Sequence, residues 1–528
     1  MRKLLVKAGL IFTVAAGLFL WFRNDASVIA GAHPLGMNDS SGWIAANSHN
    51  PDVMDTLEAA NTSVLRVKIP WEMVEKSPGA FSWQYESEYG NVDLSQLFSR
   101  LQRHGIEPIA VLSGGPVYLS HLYPQQPVYR DQLLESMARF AGAAAKQFGE
   151  DVQYWQIGDS INDPSSWGRV QFPLADAPIA APDPILYSEM LQTAYHAIKN
   201  EDSGSAILTG DLVFPAECIN HPALYLQAIS DAGGWYAADV INLRLPELAD
   251  IPELAVVDSC GILPMQVSGI PSADSIRAIS ELISEIGEKP LWVHDIYLSA
   301  PFLESEATAR GTIPEAVQSD LLARTSALLR AYSGTERVFW RLDPLANTPG
   351  LLALQTYANI SETLTGRYDG SGLPESRNAF ALRFRGGGKV SMLAWYAQGG
   401  QEASAMMING LEGYEMTAFS ADTDSLKARN GIKLPVDEGG NIALMVSERP
   451  VLISGQPSDI KQAITQTVED STAQASAGIK SKLNNWLQAQ KARAAAKVGD
   501  WVEEQQVSLL NSLRTSLEEW LRKSLGLI

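Results

Sequence analysis

Eight short β-rich runs separated by helical stretches constrain this chain more than anything else in it. The runs fall at 28–33, 63–69, 107–112, 152–157, 206–212, 238–243, 291–296 and 337–342. Strands joined through helices run parallel, because a tight hairpin cannot link them. Eight is the number that closes an α/β barrel. The stretches between them carry the helical period. Leu94, Leu97, Phe98 and Leu101 share one face, and Gly105 ends that stretch. The segments 131–148, 187–200, 272–286, 314–332 and 353–367 follow the same rule.

After residue 370 the pattern changes. Between 378 and 453 short alternating runs replace helices, with turn signals at Gly386-Gly387-Gly388, Gly399-Gly400 and Gly439-Gly440. This predicts a small all-β sandwich. From 457 to 528 Ala, Gln, Lys, Glu and Leu dominate, and apolar residues recur in steps of three and four. That is an amphipathic helical tail, which fits a protein partner or self-association. The expected division is therefore an N-terminal segment 1–27, a barrel 28–370, a sandwich 371–456 and a tail 457–528.

Arg2, Lys3 and Lys7 precede and enter an apolar run from Ala8 to Phe22. A basic flank before such a run reads as an export signal, here expected to stay as a membrane anchor with the body extracytoplasmic. The net charge of −20 argues against nucleic acid as a partner. With 46% hydrophobic and 19% charged residues the chain has material for a large core. There are two cysteines, Cys218 and Cys260, and no metal-ligand cluster, so no metal or other cofactor is expected. The cysteines would pair in an oxidising compartment, but nothing in their spacing requires it.

Three motifs carry a resemblance. Residues 64–83 read Val-Leu-Arg-Val-Lys-Ile-Pro-Trp-Glu-Met-Val-Glu-Lys-Ser-Pro-Gly-Ala-Phe-Ser-Trp, residues 154–162 Tyr-Trp-Gln-Ile-Gly-Asp-Ser-Ile-Asn, and residues 290–296 Pro-Leu-Trp-Val-His-Asp-Ile. Together with Arg337-Val338-Phe339-Trp340 they resemble the second, fourth, seventh and eighth strands of the clan A retaining (β/α)8-barrel glycosidases. The resemblance spans roughly 28–455. It implies an α/β fold, a (β/α)8 TIM barrel followed by a β-sandwich, and a sugar-binding cleft at the C-terminal ends of the strands.

The same resemblance exposes a gap. The family's general acid/base Glu falls on Ser160, and its nucleophilic Glu on Asp295. A hydroxyl does not titrate near neutral pH and cannot deliver a proton to a leaving group. Asp is one methylene shorter than Glu, which sets its carboxylate back from the scissile bond. The resemblance further implies ligand contacts from Arg66, Trp71, Asp159, Asn162 and Trp340, with Arg66 as the partner of Asp295; His33 at the mouth of the first strand is a further candidate. Asp159, Asp163, Asp211, Asp295 and Asp343 sit at or just past strand ends, where they either cap backbone N–H groups or supply a different acid/base pair. The expectation is a catalytically degenerate, glycan-binding barrel or scaffold in an envelope or exopolysaccharide assembly. The alternatives are a working glycosidase using Asp295 with another acid, and a purely structural subunit of an envelope complex.

Overall fold

The computed structural model describes residues 34–120, 127–171, 181–215, 217–263, 270–342, 351–370, 378–386, 388–397, 404–420 and 431–458. Eight parallel strands form the first unit: β1 (Leu35–Asp39), β2 (Val64–Pro70), β3 (Glu107–Ser113), β4 (Tyr154–Ile157), β5 (Ala206–Thr209), β6 (Ile241–Arg244), β7 (Leu291–Ile296) and β8 (Arg337–Leu342). Each pairs with the next, and β8 returns to β1 with Leu35 opposite Val338. At Gly210 and Asp211 the fifth strand breaks and resumes as Leu212–Val213, which pairs with β6. A bridge between Leu208 and Val240 completes the ring.

Seven of the eight expected runs coincide with these strands. The first does not. The run at 28–33 lies outside the described residues, and the barrel begins at Leu35, after Pro34 accepts a hydrogen bond from Val338. The anchor expectation is also corrected. Among the described residues no helix is long and apolar enough to cross a membrane, and the segment 1–27 lies outside them, so a membrane-anchored, extracytoplasmic placement is not retained. The tail beyond Ser458 likewise lies outside the described residues.

Side chains alternate across a strand, so every second residue faces the lumen. The lower lumen is filled by Val64, Ile109, Tyr154, Ala206, Leu208, Val240, Trp292 and Phe339, one contiguous apolar plug. Gly36 on β1 makes room for it: a Cβ there would run into the Phe339 ring. Two residues further along the same strands the lumen turns polar, with Arg66, Gln156, Asn242 and His294, all at most 1% exposed. Dry floor and charged layer follow from one period of two.

The second-strand motif is structural. The Glu75 carboxylate accepts from the Trp71 indole at 2.6 Å, the Gly79 N–H at 2.7 Å and the Tyr118 hydroxyl at 3.0 Å. Trp71 is buried and stacks on Phe140 at 4.7 Å. It packs the barrel wall and offers no platform to a sugar. Trp340 is likewise 1% exposed, donates to Ser326 at 2.8 Å and packs edge-on to Tyr357. Both expected platforms are core residues.

The antiparallel unit comprises β9 (Ala379–Gly386), β10 (Lys389–Tyr396), β11 (Ser404–Ile408), β12 (Tyr414–Ser420), β13 (Ile432–Leu434), β14 (Ile442–Val446) and β15 (Val451–Pro457). One sheet runs β9–β10–β15–β12–β13, with Arg367–Tyr368 on its β9 edge; β11 and β14 form the other. Between the sheets Met392, Met406, Ile408, Met416, Ile442 and Ile453 make a separate core. The unit bonds to a buried ion pair of the barrel. Arg324, on the helix Pro314–Tyr332, forks onto Glu253, and the same carboxylate accepts from the Trp395 indole at 2.7 Å.

Candidate functional site

The polar layer at the C-terminal ends of the strands is one continuous network. At its centre lies Arg66, 1% exposed, with its guanidinium shared among four groups. It donates to Gln156 at 2.8 Å, to Asn38 at 2.9 Å, to Asp211 at 2.6 Å and to Asp159 at 3.3 Å. A planar fork with five N–H donors can serve so many acceptors at once; a lysine cannot. Arg66 was expected to hold Asp295. It makes no direct ion pair with Asp295 and instead gathers the two carboxylates that follow β4 and β5.

Asp295 belongs to a different pair. Arg244, two residues beyond Asn242 on β6, places its Nε 2.8 Å from Asp295 and donates through NH1 to the Ser160 hydroxyl at 3.1 Å. Asn38 donates its side-chain amide to the other oxygen of Asp295. One guanidinium thus connects the two positions where the resemblance puts acid/base and nucleophile.

Local backbone explains how Ser160 and Asp295 meet it. Both are non-glycine residues in the left-handed region, with φ of 47° and 59°. The β7–β8 register shifts between Val293 and Ile296. Strict alternation allows only one of His294 and Asp295 to face inward. The irregularity lets Asp295 reach Asn38 and Arg244 while His294 stays buried in the lumen, at the cost of a conformation that non-glycine residues rarely hold.

The three carboxylates differ in character. For Asp159 burial raises the pKa, but Lys68, 2.6 Å away, and Arg66 outweigh it and hold the group well below the usual range. Burial is the main cause for Asp211 too; there Arg66 only partly offsets it, and the charges of Asp159 and Asp295 add to it, so its carboxyl is pushed up to about 7. Its oxygens are occupied by Arg66 and by Gln156 at 3.1 Å. His294 has neither ring nitrogen hydrogen-bonded, stacks on Phe339 at 4.4 Å, and is held neutral by burial and by the neighbouring Arg66.

Asn162 does not reach the network. It is fully buried and clamps the segment after β5, donating to the carbonyls of Val213 and Asn220 at 2.7 Å each and accepting from Val213 N–H at 2.8 Å. Nearby, Cys218 and Cys260 form a disulfide. Asp163 accepts from Ser165 N–H at 2.7 Å, the expected capping role. His33 and Asp343 lie outside the described residues.

An open cleft of about 480 Å³ flanks the network above β2, β3 and β4. Asp159 and Lys68 form its border with the network, and the hairpin strand Gln84–Ser87 forms its outer side. Asp295 and Arg244 are not in its wall. Among the described residues no group of His, Cys, Asp and Glu could hold a metal ion. Lys68, Arg244 and Asn38 are site residues that motif reading missed. The signal was present: counting in twos from Val64 gives Arg66 and Lys68, and from Val240 gives Asn242 and Arg244.

No protein-family model matches the chain, and no curated protein matches it by sequence. Solved structures do. A family 39 glycoside hydrolase from Bacteroides cellulosilyticus WH2 superposes with a TM-score of 0.56 at 19% identity, over 81% of this chain and 82% of that one. A monomeric beta-xylosidase from Caulobacter crescentus CB15 gives 0.51 at 14% identity, over 81% and 96%. A family 30 endoxylanase from Clostridium papyrosolvens C71 gives 0.50 at 11% identity, over 81% and 96%. The fold is therefore that of the barrel glycosidases with an appended β-domain, as the resemblance implied.

Proposed function

We propose that this chain is a glycosidase-like barrel that binds a glycan without cleaving it. The observation that carries the reading is the position of Arg244, bonded at once to the Ser160 hydroxyl and the Asp295 carboxylate. Retaining hydrolysis needs two carboxyl groups about 5–5.5 Å apart, one protonated and one free to attack. Here the first position has no titratable group, and the second is neutralised by a cation, with its side chain only 7% exposed. A nucleophile in that state would have to break a charge-assisted bond before it could reach an anomeric carbon.

One observation favours a second reading, in which hydrolysis persists. Asp211, with its carboxyl at about 7, has the acidity a proton donor needs. Against it, the side chain is 1% exposed and both oxygens are already bonded. The experiment that separates the readings is incubation of the purified chain with a panel of polysaccharides. Reducing-end release and retention on the polymer are measured together. Retention without release supports a binder. Release that disappears in both Asp295→Asn and Asp211→Asn establishes the hydrolase instead.

A further inference from the structure

We propose that the chain beyond Ser458 folds back on the small sheet of the β-unit, with Ile460, Ile464 and Val468 seated on its outer face. That sheet is β11 and β14, and its outward side chains are Ala405, Met407, Ala443 and Met445, all exposed. Met407 lies opposite Ala443 and Met445 opposite Ala405, so the four make one continuous patch. The two methionines are 58% and 59% exposed. Neither strand carries a charge. Their inward residues, among them Met406, Ile408 and Ile442, already fill the core between the sheets. A sheet side that faces water reads polar, as Lys389 on β10 and Glu415 on β12 do here. Two uncharged strands with both sides apolar need a cover, or they pair with whatever they meet.

The exit point of the chain names the occupant. Ile408 pairs with Ile442 at one end of the sheet. The turn that follows β11 is tied to that end, with the Leu411 N–H donating to the Gly440 carbonyl at 2.9 Å. The Ser458 N–H donates to the Gly413 carbonyl of the same turn at 2.8 Å. The chain therefore leaves the β-unit at the Ile408–Ile442 end of the sheet. Directly after it, Ile460, Ile464 and Val468 recur in steps of four among Lys461, Gln462, Gln466, Glu469 and Asp470. That spacing puts the three on one face of a helical stretch about 12 Å long, against strands about 17 Å long. A tethered segment meets such a face at a millimolar effective concentration, ahead of any free partner. The stretches 398–403 and 421–430, also outside the described residues, read Gln-Gly-Gly-Gln-Glu-Ala and Ala-Asp-Thr-Asp-Ser-Leu-Lys-Ala-Arg-Asn, too polar to serve.

Methionine oxidation reads the cover directly. The full chain and its triple variant Ile460→Asp, Ile464→Asp, Val468→Asp are treated with dilute peroxide, and sulfoxide at each methionine is followed by mass spectrometry. Met407 and Met445 are expected to oxidise about tenfold or more slowly in the wild type than in the variant, because the reagent reaches them only while the segment is off. Met392 and Met406, at 0% and 3% exposure, should stay slow in both, which shows that the sandwich is folded. If the triple variant exposes these too, Ile464→Asp alone is read in its place, with the same order of rates expected. Equal, fast oxidation in both chains means an open face and overturns the proposal. Equal, slow oxidation overturns it as well: protection lost on dilution assigns the face to a second copy, and protection kept on dilution assigns it to another part of the chain.

Discussion

Arg244 and Asp295 meet side by side at the barrel mouth, Nε to carboxylate 2.8 Å, on β6 and β7, two neighbouring strands. The pair is lopsided in its burial: the arginine side chain is 33% exposed, the aspartate 7%. Removing the arginine strands a nearly buried charge. Arg244→Gln is expected to cost about 1–3 kcal/mol, below the range for fully buried pairs because solvent reaches the guanidinium. Adding Asp295→Asn to it should recover part of the loss. Denaturant midpoints of the two single variants and the double variant measure the coupling.

Arg66 sits deeper and holds more. Arg66→Met leaves Asp211 and Asp159 facing each other with Lys68 and Arg244 as the cations that still act on them, and should cost about 3–5 kcal/mol in urea unfolding. Arg66→Lys should recover little of it, since a point charge cannot bond Gln156, Asn38 and both carboxylates together. A fully stable lysine variant would show that charge alone, not the fork, organises the layer.

Asp39 gives a pH signature. Burial pushes its carboxyl up to about 6, against the pull of backbone N–H groups at Ala45, Ile44 and Gly42 and of the Lys68 charge. Its folded pKa lies above its unfolded one, so its contribution is fullest below pH 4 and is lost as pH rises through 6. Asp39→Asn never ionises and escapes that loss. The variant should gain on the wild type by roughly 2–3 kcal/mol between pH 4 and pH 7, which paired denaturation curves at the two pH values will read. A constant difference across the range would mean the carboxyl titrates normally.

The disulfide joins the segments after β5 and β6, at a sequence separation of 42. Closing a loop of that size is worth about 2–4 kcal/mol through the unfolded chain. Thermal unfolding with and without reductant should differ accordingly, and Cys218→Ser should no longer respond to reductant.

Short β-rich runs between helical stretches made the strands legible, because a barrel buries both faces of each strand and leaves near-continuous apolar runs. The charged layer was half legible. Arg66, Asp159 and Asp211 lie on or just past strand ends that the sequence marks. Their pairing was not legible, since the partner of Asp295 comes from a neighbouring strand, β6, and which long side chain reaches it depends on barrel geometry. Trp71 and Trp340 misled for a physical reason. A large aromatic at a strand end serves equally as wall packing or as a platform, and only the position of Phe140 and Tyr357 decides. The inward turn of Asp295 depends on a bulge that no residue nearby announces: there is no glycine at 293–296.

The apolar plug beneath Arg66 and His294 separates the closure of the barrel from the chemistry at its mouth. Val64, Tyr154, Trp292 and Phe339 keep the cylinder shut whatever chemistry stands on top of them. Carboxylates, hydroxyls and guanidinium groups can be exchanged at the rim while the foundation stays untouched. Replacement of a group at the mouth therefore need not cost the barrel its closure.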